Sequence, residues 1–148
     1  RKEAEEYIAK YFETYPVIKE FLDRMVEEGR NNGMVRTEYG RIRPIPEISS
    51  TNFMQRSFGE RIAMNSPIQG TAADIIKIAM IGVDHRLRQE GLKSRLVLQV
   101  HDELIVECPE DIARDVAVLI SREMEQVAQL SVPLLAEAKI GKSWFEAK

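Results

Sequence analysis

Residues 96–108 read LVLQVHDELIVEC, and the fold turns on how this stretch is understood. Two apolar runs of strand length flank His101, Asp102 and Glu103. A tight hairpin normally takes Asn-Gly, Asp-Gly or Gly-X, because the turns that match strand twist need positive φ. An imidazole and two carboxylates in that place set chemistry-bearing groups at the tip of a stiff support. Since nearly every flanking residue is apolar, both faces of the hairpin are expected to be covered.

Two readings of the tip stand side by side. Asp102 can hydrogen-bond its own backbone, as turn aspartates do. Alternatively its carboxylate can hold a hard divalent cation such as magnesium, which takes carboxylate oxygens while keeping several waters. Glu103 is then a second ligand or a polar neighbour. His101 suits a hydrogen bond to a phosphate or sugar oxygen better than magnesium ligation. Zinc is disfavoured because His85 falls in a helical pattern and Cys108 among strand residues, with no further ligand at suitable spacing. No serine sits in a GxSxG elbow, which disfavours a serine hydrolase. Cys108, the single cysteine, is expected to be a packed thiol.

Outward from the hairpin, apolar spacing of three and four marks helices. Pro16 suits the first position of a helix, giving two at about 2–14 and 16–28, with Gly29 and Gly33 as stops. Residues 34–48 read as a short strand, a turn at Gly40 and an extended piece in which Pro44 and Pro46 forbid a central strand. Asn65-Ser66-Pro67 reads as a helix boundary, with Ser66 as N-cap and Gln69 completing a capping box. The helix after it is expected to bury Ile68, Ala72, Ile75, Ile76, Ala79, Val83 and Leu87 and to stop at Gly91. PEDIARDVAVLISREMEQVAQL (109–130) reads as a helix with Ile112, Val116, Leu119, Ile120 and Met124 inward. VPLLAEAKIG (132–141) reads as a closing strand with Trp144 beneath it. The fold class is therefore α+β: a small antiparallel sheet, made of the hairpin plus a C-terminal strand, packed against helices in one unit, 1–148.

The net charge of −3 hides an uneven distribution. Residues 29–64 carry six arginines, no lysine and three glutamates, leaving that window at +3 and the remainder at −6. Guanidinium forks match phosphate oxygens in pairs, although an ordinary solvated surface would show the same count. Arg61, Asn65 and Gln69 are spaced by four, so along a continuous helical path they would form one polar stripe. Such side chains can donate to the minor-groove acceptors that every base pair offers. The competing reading makes Gln69 part of a cap and Asn65 a helix stop. No apolar run approaches the roughly 20 residues of a membrane helix, and a soluble, cytoplasmic location is expected.

QVHDELIVE (99–107), preceded by ERIAMNSPIQGTAADIIKIAM (60–80), closely resembles the C-terminal part of family A DNA polymerases, the bacterial DNA polymerase I type. The likeness extends to YFETYP (11–16), YGRIRPIPEISSTN (39–52) and VPLLAEAKIGKSW (132–144), and so covers essentially the whole chain. It implies outer fingers helices at 1–33 and a palm portion at 34–148. It implies that Asp102 is the palm carboxylate holding two magnesium ions, that Glu103 is its acidic neighbour and that His101 lies against the primer terminus. It implies further that Arg61, Asn65 and Gln69 track the minor groove, and that Arg41 and Arg43 contact the nucleic-acid backbone. The family commonly has three consecutive basic residues after the turn glycine, and here Ile42 stands between Arg41 and Arg43.

The activity so implied is template-directed DNA synthesis on primer-template DNA from deoxynucleoside triphosphates. The other metal-binding carboxylate and the nucleotide-holding residues would come from an upstream portion, without which this segment is expected to be inactive. The alternative is a module that grips primer-template duplex without chemistry.

Overall fold

The computed structural model describes residues 2–147. Its elements are α1 (Lys2–Thr14), α2 (Pro16–Asn32), β1 (Met34–Arg36), β2 (Ile42–Pro44), α3 (Phe53–Gln89), β3 (Arg95–Val100), β4 (Glu103–Glu107) and α4 (Ala113–Glu125). Short 3-10 turns lie at Pro46–Ser49 and Glu110–Ile112. Helices and two antiparallel ribbons, β1–β2 and β3–β4, make the fold α+β, as expected. The chain divides into two compact units, Arg1–Thr71 and Ala72–Lys148.

In the first unit Pro16 opens α2 at its first turn, where its missing N–H costs nothing. The helix does not stop at Gly29. It runs to Gly33, whose left-handed backbone (φ 68°) lets its N–H reach the Gly29 carbonyl. Gly29 is buried instead: a Cβ there would lie 2.8 Å from Ile48 Cδ1 and 3.2 Å from Ala63 Cβ. Its lack of a side chain serves packing, and packing overrides its low helix propensity. Val35, Ile45, Ile48 and Ala63 form the core, with Val26 and Ile62 against it. β1 and β2 pair in the register Val35↔Arg43 around a turn that uses positive φ at Gly40.

The largest departure from expectation is α3. No boundary occurs at Asn65-Ser66-Pro67, because Pro67 lies inside one 37-residue helix. A proline in a helix interior costs about 3 kcal/mol by losing one backbone bond and crowding the preceding turn. Pro67 is buried here, so tertiary packing offsets that cost. The capping box therefore does not form. The helix is capped at Asn52, whose Oδ1 accepts from the N–H groups of Met54 (2.9 Å) and Gln55 (3.3 Å).

In the second unit Ala79, Val83 and Leu87 are buried as expected. Ile75 and Ile76 are half-buried, whereas Ile68, in the first unit, and Ala72 are exposed. Gly91 (φ 63°) ends the helix, and the Leu92 N–H returns to the Leu87 carbonyl. Val83, Leu87 and Val116 make the core, lined by Leu104, Val106, Ile112, Leu119, Ile120 and Met124, so the inner face of α4 is the expected one. Cys108 packs against the same cluster. Burial first, and the nearby Asp111 charge second, push its thiol pKa up, which keeps it protonated at neutral pH.

Two expectations fail in this unit. The hairpin is not covered on both faces, since Val97 and Leu98 are 55% and 45% exposed. A bulge between Leu96 and Leu98 leaves Val97 outside the pairing. Residues 132–141 form no strand. A strand needs a neighbour to pair with its main-chain groups, and an apolar pattern reports the faces of a segment, not its partner. One amide in this stretch, Ala136 N–H, bonds instead to the Glu125 carboxylate at 3.2 Å. Trp144, expected beneath that strand, is 44% exposed.

Candidate functional site

The β3–β4 hairpin closes from Val100 to Glu103 through a two-residue turn, His101-Asp102. His101 is the one non-glycine residue with positive φ (53°) among the described residues. A tight turn demands that conformation, and the sequence supplies it with histidine where glycine would be easier. The turn is braced from β3, where Gln99 Nε2 donates to the His101 carbonyl at 2.5 Å. His101, Asp102 and Glu103 are all exposed. Leu104 packs toward the core, so by strand alternation Glu103 faces away from it.

The Asp102 carboxylate accepts no hydrogen bond from a main-chain amide among the described residues. A turn aspartate satisfied by its own backbone is therefore not what the structure contains. Among the described residues no three His, Cys, Asp or Glu side chains converge on one point. Two adjacent exposed carboxylates nevertheless suit magnesium, which needs few protein ligands when waters and phosphate oxygens complete its shell. Asp102 and Glu103 fit as one side of such a site.

The first unit holds the other candidates. Because α3 is continuous, Arg61, Asn65 and Gln69 form the stripe that the boundary reading would have broken, and all three are exposed. Arg61 bonds Ser57 Oγ at 3.3 Å, and its guanidinium carbon lies 5.8 Å from the Phe58 ring centroid. Arg43 lies exposed on β2 beside Ile42. Arg41 Nη2 donates to the Gly70 carbonyl at 2.8 Å, tying the ribbon to α3 one residue past Gln69.

Most of the arginine charge is left unneutralised. Arg30 pairs with Glu60 at 2.6 Å. Arg36 bonds the Gly40 carbonyl and Arg56 the Ser50 carbonyl, both neutral acceptors. Arg36, Arg43, Arg56 and Arg61 have no carboxylate within ion-pair distance among the described residues. Their charge remains available to an external anion.

Sequence reasoning missed Thr37, Gly70 and Thr71, which fasten the ribbon to α3. Thr71 Oγ1 accepts the Glu38 N–H at 2.9 Å across 33 residues of sequence. No short-range pattern announces such a contact. The Gln69-Gly70-Thr71 run does offer one signal, a glycine inside a helical stretch, which suggests close backbone approach.

A family model described as DNA polymerase family A matches residues 1–146. The chain belongs to the family A DNA polymerases. This chain is 53% identical over 148 residues to DNA polymerase I of Caldicellulosiruptor bescii, covering 100% of the chain and 17% of that relative. The DNA polymerase I of Lactococcus lactis subsp. cremoris and that of Geobacillus stearothermophilus are each 49% identical over the same 148 residues, again 100% of the chain and 17% of each relative. A solved structure, the POL domain of Pol1 from M. smegmatis in complex with DNA primer-template and dNTP, matches with a TM-score of 0.94 at 40% identity. That match covers 99% of this polymerase chain and 26% of the M. smegmatis chain. The family A chain thus spans about a sixth of the curated relatives' length. No helix among the described residues is long and apolar enough to cross a membrane.

Proposed function

We propose that this chain is the segment of a DNA polymerase that grips primer-template duplex and presents an acidic turn to the reacting phosphates. The observation that carries the reading is the exposed Asp102, set on a strained and braced hairpin tip and unclaimed by its own backbone. The likeness to a polymerase domain whose solved structure holds primer-template and dNTP supports it.

In the reaction the primer 3′-hydroxyl oxygen forms a bond to the α-phosphorus of a deoxynucleoside triphosphate. The bond from that phosphorus to its bridging oxygen breaks, pyrophosphate leaves and the hydroxyl proton passes to solvent. Asp102, with Glu103 beside it, would hold magnesium at the turn, where a bound metal would supply charge neutralisation for the reacting phosphates. His101 donates a hydrogen bond at the primer end. Arg61, Asn65 and Gln69 follow the duplex minor groove, where they contact any base pair without choosing a sequence. Arg41 and Arg43 lie along the phosphate backbone. The remaining metal-binding carboxylate and the nucleotide-holding groups come from an upstream portion, and the working place is the nucleoid.

The test is templated incorporation by the full-length protein. With one deoxynucleoside triphosphate present at a time, the primer should lengthen only when that nucleotide complements the next template base. Tight duplex binding with no extension by any nucleotide would leave the duplex-binding module as the function.

A further inference from the structure

The arginine ribbon and the α3 stripe lie 18 or more residues apart in sequence, and they are joined by the Arg41 guanidinium on the Gly70 carbonyl (2.8 Å) together with threonines that belong to neither. The ribbon turn is closed on itself by Thr37 N–H to the Arg41 carbonyl (3.0 Å), Gly40 N–H to the Thr37 carbonyl (2.9 Å) and Arg41 N–H to Thr37 Oγ1 (3.1 Å). Thr37 is only 9% exposed. That rigid turn meets α3 just past Gln69. A Cβ on Gly70 would lie 2.5 Å from Thr37 Cγ2, so the threonine methyl occupies the space that any side chain at position 70 would need. Thr71 Oγ1 accepts the Glu38 N–H at 2.9 Å and spends its single proton on the Pro67 carbonyl at 2.6 Å.

From this geometry we propose that Gly70 and Thr71 are positioning residues for duplex binding: they latch the β1–β2 turn onto α3 so that Arg43 and the Arg61–Asn65–Gln69 stripe present one continuous surface. The inference rests on the reading of that surface as the duplex interface. Neither residue touches DNA in this account. Thr71 acts through the placement of the ribbon, and Gly70 acts by leaving room for Thr37. Without the latch the ribbon keeps its arginines but loses their register on the backbone. The loss is therefore one of phosphate contacts, with no change in net charge.

The experiment measures primer-template affinity of the full-length protein over a range of salt concentrations. Thr71→Val, which keeps the shape and removes the hydroxyl, should weaken binding by roughly three- to tenfold and lower the log–log salt slope by about one phosphate contact. Thr71→Ser should restore both. Gly70→Ala should weaken binding in the same way, because its methyl displaces Thr37 and the ribbon turn with it. In an Arg43→Ala background Thr71→Val should add little, because the contact it positions is already gone. Wild-type affinity and slope for Thr71→Val, or full additivity with Arg43→Ala, would overturn the latch while leaving the interface reading intact. Wild-type binding by both Arg43→Ala and Arg61→Ala would instead remove the interface, and the latch with it.

Discussion

His101 sits at φ 53°, a left-handed conformation that costs an L residue about 1 kcal/mol or more. Glycine would relieve that cost. A histidine is kept at a place where backbone chemistry asks for glycine, which points to a use for the imidazole. His101→Gly should therefore raise stability by about 1 kcal/mol in urea unfolding and slow primer extension at the same time. A variant that extends primers at the wild-type rate would show that the imidazole has no part in the reaction, and one that loses stability would show that the turn does not strain the histidine. The hairpin and the place of its turn were legible in the sequence because two apolar runs of strand length flank three polar residues, while the polar turn by itself does not say what its side chains do. The fate of Asp102 was not legible, since a backbone-bonded aspartate and a free one share the same letters.

Among the elements, α3 carries the Arg61, Asn65 and Gln69 stripe, and its glycines divide by what surrounds them. A Cβ on Gly59 would fall 2.6 Å from the Ile48 nitrogen and 2.8 Å from its Cα, which is backbone that cannot step aside. On Gly82 the nearest atom is a Glu123 carboxylate oxygen at 3.9 Å, with room to spare. Gly59→Ala should therefore destabilise by about 3 kcal/mol, at the upper end for overpacking, whereas Gly82→Ala should stabilise by about 0.5–1 kcal/mol through helix propensity alone. Thermal melts of the two variants moving in the same direction would contradict this division. The periodicity around Gly59 and Gly82 predicted helix at both and could not distinguish them. Propensity and capping rules likewise broke α3 at Pro67, because they weigh the local cost of proline and cannot see that its ring is buried. The stripe of Arg61, Asn65 and Gln69 survived that error only because their spacing matches one helix. Residues 132–141 failed as a strand for the complementary reason: pairing is a property of two segments, and the sequence of one does not name its partner.

For the whole molecule, the net charge of −3 conceals a +3 window at residues 29–64. Unpaired arginines gather in Arg1–Thr71, while the acidic turn belongs to Ala72–Lys148. That window alone reads equally as an ordinary solvated surface, so charge by itself does not name a nucleic-acid partner. The central claim is that binding and chemistry reside on different side chains, so they should separate under mutation. Single-turnover primer extension by the full-length Asp102→Asn protein, at saturating primer-template and with DNA affinity measured alongside, tests this most directly. Its rate should be lower by on the order of a thousandfold, with DNA affinity within about twofold of wild type. Extension by Asp102→Asn at the wild-type rate would contradict that claim.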